Sequence, residues 1–130
     1  MKGSNPTAAQ KRWHDALCKT VGCVACRQLG EFNPVVSIHH IEGRTKWYAH
    51  WLVLPLCESH HQAGTGNLVV PAVHGNEAEF ERVYGRQGQL LLSAINTLDL
   101  VGIEVPQIMR YFESVLYLNG GRTNVVWRKP

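Results

Sequence analysis

The stretch Trp51-Leu52-Val53-Leu54-Pro55-Leu56-Cys57-Glu58-Ser59-His60-His61 decides how this chain is read. Its first part continues a strand expected over His50–Pro55. Its second part opens a short helix over Cys57–Gln62, which the glycines of Gly64-Thr65-Gly66 break. Cys57 and His60 make a C-x2-H pair, and Cys23 and Cys26 make a C-x2-C pair upstream, with 30 residues between the two. A tight turn lets two side chains three residues apart face one ion, and two such turns complete a tetrahedron. Thiolates and imidazole suit zinc, and a closed set of four ligands is structural rather than catalytic. Any one cysteine alone reads as a small buried apolar residue; the grouping points to metal. Cys18 competes for a ligand place, but its offset from Cys23 suits ligation less, and it is expected in the core of the first helix.

Outward from the knuckle, Ala9–Cys18 carries Trp13, Ala16 and Leu17 at helical spacing, after a lead over residues 1–8 that looks flexible. Val35–His39 reads as a strand and Glu42–Ala49 as a polar loop. Asn76–Tyr84 is expected to be helical with Asn76 as its cap, followed by helices over Gln87–Leu98 and Pro106–Leu118 and a tail over Gly120–Pro130. The class is α+β: a small two-stranded core with a zinc knuckle, flanked by additional helices. One domain is expected over residues 1–130, with its core at about 20–85 and a helical extension at about 86–130.

The composition agrees. Apolar residues make up 45% of the 130, so the chain is globular. Thirteen Lys and Arg against ten Asp and Glu give +3, mildly basic and compatible with a nucleic-acid partner. No apolar run approaches the roughly 20 residues of a membrane helix, and Met1–Gln10 is not a signal peptide. These features predict a cytoplasmic protein with no membrane partner. Clustered cysteines there read as metal ligands before disulfides.

Four further histidines need a role. His39-His40 ends the first strand and His61 follows the knuckle histidine. Neighbours on a strand point to opposite sides, so His39 and His40 serve different purposes, and His61 is free to turn toward them once His60 holds zinc. Strand, loop, strand, helix and knuckle together resemble the ββα-metal core of the HNH nuclease superfamily. That resemblance implies His39 and His61 as ligands of a catalytic metal and His40 as general base. The sequence departs from the common pattern in two ways. A ligand one turn after the knuckle would be Thr65, inside the glycine break, and the Asn many members carry before the knuckle is absent, with His50 nearby. A closer similarity covers both departures. His39-His40-Ile41-Glu42-Gly43-Arg44, His50 through Cys57, His60-His61-Gln62, His74-Gly75-Asn76, Phe80 and Tyr84-Gly85 resemble the phage recombination-enhancement (Ref-type), RecA-dependent nucleases over about residues 20–98. That family implies His74 as a further active-site ligand, opening the next helix, and RecA filaments as partner in a bacterial host. His50 is read either as a strand residue packed near the site or as a phosphate contact.

The chemistry implied is metal-dependent hydrolysis of DNA phosphodiesters. His40 takes the proton of the attacking water, and a single divalent ion on His39, His61 and His74 stabilises charge on the phosphate. Imidazole favours Zn2+, Ni2+ or Mn2+ over Mg2+, which the family resemblance also allows. The expected products carry 5′ phosphate and 3′ hydroxyl ends. DNA contacts are expected from Arg44 and Lys46, then Arg82 and Arg86, with Arg122, Arg128 and Lys129 reaching phosphate and Trp127 stacking on a base. The alternative, a non-catalytic zinc module that binds DNA or protein, explains the cysteine pairs and leaves His39, His40, His61 and His74 without a purpose.

Overall fold

A computed structural model describes residues 3–62 and 71–130. The first helix, α1 (Ala8–Ala16), begins at a capping box in which Thr7 and Gln10 each bind the other's backbone N–H through the side chain. It buries Trp13 and runs into a π turn, Leu17–Val21. Gly22 ends that turn at φ 68°. A Cβ there would lie 2.6 Å from the Asn33 carbonyl oxygen, so only glycine admits this approach to the knuckle. Cys23 then caps α2 (Val24–Gln28).

Strand β1 (Ser37–His40) pairs antiparallel with β2 (Val53–Leu56), with Ser37 opposite Leu56 and His40 opposite Val53. All four residues of β2 are buried, because the later helix Gln87–Leu100 and the π turn pack against it. This explains why its sequence is a continuous apolar run rather than an alternation. Helix α3 (Glu58–His61) follows at once, then α4 (Glu77–Tyr84), α5 (Gln87–Leu100) and α6 (Gln107–Leu118). The core joins Trp13 and Leu17 to Leu52, Leu54 and Leu56, and to Phe80, Leu91, Ile95, Leu98, Phe112 and Leu116. Among the described residues, no helix is long and apolar enough to cross a membrane.

The α+β class and the order strand, strand, helix match the sequence reading. Several local expectations do not. β1 starts at Ser37 rather than Val35, and β2 begins at Val53, so His50 lies in the turn before the strand. His74 precedes α4 rather than opening it; it forms a parallel bridge with Gln62. Asn76 stands at the cap of α4 without a side-chain capping bond. Cys18 sits half-buried in the π turn, because the change of helical pitch rotates it away from the core. From residue 3 the lead is not loose: a Cβ on Gly3 would lie 1.6 Å from the Arg44 carbonyl oxygen, so the arm there lies flush against the loop between the strands. Gly64, Thr65 and Gly66 lie outside the described residues.

Candidate active site and metal centres

Two clusters of ligand atoms form at the junction of the sheet with α2, α3 and the start of α4. In the first, the ligand atoms of Cys23, Cys26, Cys57 and His60 lie within 4.8 Å of one another, and all four residues are buried. Cys26 Sγ is 3.8 Å from Cys57 Sγ, and His60 Nδ1 is 3.1, 3.5 and 3.6 Å from Cys57, Cys23 and Cys26. A tetrahedron with Zn–S bonds of about 2.3 Å has S–S edges of about 3.8 Å. The four cysteines are all unbridged. Burial pushes the Cys23 thiol up to about 12 and raises Cys26 as well, so the thiolate forms need a cation in their midst. His60 presents Nδ1 to the sulfurs while its Nε2 lies 2.9 Å from the Tyr84 hydroxyl. That outer bond holds the ring to the ligating orientation. The donor set fits a structural metal ion.

The second cluster joins His39, His61 and His74, whose ligand atoms also fall within 4.8 Å of one another. Their ring centroids are 4.9–5.2 Å apart. His39 is buried and His74 exposed, so this site opens to solvent. The His39 ring is fixed by a chain of side chains. Gln87 places its Nε2 3.0 Å from Glu77 Oε2 and 3.2 Å from Glu81 Oε2; its Oε1, facing the other way, is 2.7 Å from His39 Nε2. The amide donates to the two carboxylates, so its oxygen must accept from His39 Nε2–H. The lone pair of His39 is then on Nδ1, which is buried and has no hydrogen-bond partner among the described residues. An orphaned acceptor between two other imidazoles is what a cation site requires. Burial lowers the His39 pKa to about 4, against the opposing pull of Gln87, so the ring is neutral and able to ligate at pH 7. Burial likewise lowers His61, whose Nδ1 is 2.8 Å from Ser37 Oγ.

His40 points to the other side of β1, as strand alternation requires. It meets His50 and His14 instead of the three-histidine cluster: its Nε2 is 3.0 Å from His50 Nδ1, and its ring is 6.3 Å from that of His14. Burial and then the Arg44 guanidinium hold its pKa at about 4.

The model of the recombination enhancement, RecA-dependent nuclease family matches residues 6–99 of this chain. The chain belongs to that family. Both ligand clusters, and His14, His40 and His50, lie within the matched residues.

For a member of this family the cations around the clusters matter. Arg44 and Lys46 are exposed on the loop between the strands, and Arg44 lies close enough to depress His40. Arg82 is exposed on α4 and paired with Glu79. Arg86 donates to the Gly120 carbonyl and lines a cleft of about 370 Å3 with Arg122, into which Glu42, Glu77 and Glu81 also face. Those carboxylates offset the two arginines for a polyanion. Arg128 and Lys129 are exposed. Trp127 is buried at 6% exposure against Tyr48, Tyr111 and Phe112, so it cannot stack on a base; the tail folds back and its indole enters the core. His50 is also buried, with both ring nitrogens engaged inside the protein, and is no phosphate contact.

Sequence reasoning missed Gln87, Tyr84 as partner of His60, His14 and the arm at Ser4. Gln87 is the first residue of an otherwise apolar-striped helix, where a glutamine looks like solvent-facing surface. Its 4% exposure becomes visible only in three dimensions. His14 offered one clue, a histidine beside Trp13 on a half-buried helix face.

Proposed function

We propose that this chain is an HNH-type, ββα-metal endonuclease with a structural zinc on Cys23, Cys26, Cys57 and His60 and a catalytic divalent ion on His39, His61 and His74. The observation that carries this reading is the buried lone pair of His39 Nδ1, held between His61 and His74 by the Gln87–Glu77–Glu81 chain. When bound, the divalent ion supplies positive charge to the scissile phosphate and the leaving 3′ oxygen. The protein's own groups do the rest. His40, neutral at pH 7, accepts the proton of the attacking water. Arg44 and Lys46 hold the DNA backbone beside it. His61 is set by Ser37, and His74 is set by its backbone N–H on the His61 carbonyl, 3.0 Å away, which brings two ligands from different segments to one point. The products carry 5′ phosphate and 3′ hydroxyl ends. The family description supports DNA held in RecA filaments as the setting, which makes the enzyme one of recombination.

A cleavage assay decides the matter: single-stranded, duplex and RecA-paired DNA, each with Mg2+, Mn2+, Ni2+ or Zn2+, and His40→Ala as control. Metal-dependent cutting by the wild type and its loss in the variant are expected. No cutting of any substrate with any of the four metals would overturn the nuclease reading. A single bound metal per folded chain would favour a binding module instead.

A further inference from the structure

His50 carries two hydrogen bonds whose directions can be worked out from valence alone. Its Nε2 lies 2.6 Å from the carbonyl oxygen of Ser4. A carbonyl only accepts, so this nitrogen bears the proton. A neutral imidazole has one N–H, which leaves His50 Nδ1 as an acceptor. That atom is 3.0 Å from His40 Nε2, so His40 must donate through Nε2, and its own lone pair is confined to Nδ1. We propose that His50, anchored by the Ser4 carbonyl, is a positioning residue that locks His40 in the Nε2–H tautomer and so makes His40 Nδ1 the proton acceptor.

Three further observations support a built arrangement. His50 is 3% exposed, so water does not compete for its ring. His14 Nε2, 2.7 Å from the His50 carbonyl, must donate to it and ties down the His50 backbone from α1. The arm that delivers Ser4 is seated by Gly3, where the Arg44 carbonyl leaves no room for any Cβ. The arm, α1 and the turn before β2 thus converge on one nitrogen of one ring. The same relay delivers polarity to His40: the Ser4 carbonyl draws on the His50 N–H, which strengthens Nδ1 of His50 as an acceptor and, in turn, Nδ1 of His40 as a base. The tautomer follows from geometry alone, whereas its catalytic consequence rests on the nuclease reading above.

Long-range 1H–15N NMR of the zinc-loaded full chain, with 15N-histidine and His40→Ala for assignment, reads the tautomer without any cleavage. The wild type should show a pyrrole-like Nε2 and a pyridine-like Nδ1 on His40. His50→Leu removes the acceptor, and the two His40 tautomers should then mix. His50→Gln offers an oxygen toward His40 and an amide N–H toward Ser4, and should restore the single tautomer. kcat should fall about 10–100-fold in His50→Leu with KM little changed, the scale of losing an orienting partner, and recover in His50→Gln. Should His50→Leu fail to fold, Gly3→Val displaces the Ser4 carbonyl with His50 intact, and mixed His40 tautomers are again expected. An Nδ1–H on wild-type His40, or a His40 spectrum unchanged by His50→Leu and Gly3→Val, overturns the proposal. Absence of cleavage by the wild type would overturn the nuclease reading while leaving the spectrum to decide the tautomer.

Discussion

The two ligand clusters share a helix, α3, and adjacent residues of it, His60 and His61, yet they are opposite kinds of site. The Cys23, Cys26, Cys57 and His60 set is buried at every member, while the His39, His61 and His74 set grades from buried to exposed. One is thiol-rich and closed; the other is all imidazole and open. The difference teaches that a single helical turn can serve two ligand clusters of opposite character at once, provided that one histidine faces the core and its neighbour faces out. Closed thiolate sites contribute folding energy outright, whereas open ones keep a place for substrate.

The largest effect separating the two should come from removing the strut. Cys57→Ser, or chelation, should unfold much of the domain, since metal-linked stabilisation in small zinc domains is on the order of 10 kcal/mol. Circular dichroism with metal analysis checks this, and a folded protein without zinc would collapse the distinction. His40→Ala should leave fold and both metals intact while cutting the cleavage rate by about 10²–10⁴-fold, the usual scale of a general base. If the variant cuts at the wild-type rate, His40 is not the base. A smaller effect belongs to the outer chain of the open site. Gln87→Leu should weaken the second metal by about 10–100-fold with zinc content unchanged. His74→Ala should behave alike, with activity partly recovering at higher metal concentration because His39 and His61 remain. Metal titrations followed by activity test both variants, and equal loss of zinc would show that the clusters are not independent.

The smallest effect is in protons. Cys23 and Cys26 are held protonated by burial, whereas His39 and His61 are held neutral by it. Loading the thiol site at pH 7 should therefore release at least two protons, and loading the imidazole site close to none. Calorimetry in two buffers of different ionisation enthalpy reads the counts. The acid limb has a definite sign as well. His40 is lowered from 6.5 to about 4 on folding. The stability its neutral ring contributes is fully present above pH 6.5 and is lost as the pH falls toward 4.

Much of this was legible in the chain because the relevant signals are local. The two spaced pairs gave the closed site, and strand alternation alone separated His39 from His40. The buried run Val53–Leu56 and the stripe Leu90, Leu91, Ala94, Ile95 and Leu98 gave β2 and α5. The rest depends on long-range packing. Nothing in the spacing of Gln87 from His39, 48 positions away, announces a hydrogen bond between them. The arm at Gly3 carries no apolar pattern, because what seats it is backbone against backbone. Trp127 lies in a stretch with no periodicity, so its burial beneath the loop could not be told from exposure.

The loop that carries Arg44 and Lys46 is fastened from far along the chain. Trp47 Nε1 donates to the Trp127 carbonyl 80 positions away, and Thr123 Oγ1 donates to Glu42 across 81. Contacts of such separation must close a long loop before they return any free energy, so they form late in folding. The cluster of Cys23, Cys26, Cys57 and His60, the sheet and α3 lie within a much shorter span. A growing chain can thus assemble its closed ligand cluster well before it can fasten the loop that carries Arg44 and Lys46, and that exposed basic loop matures late.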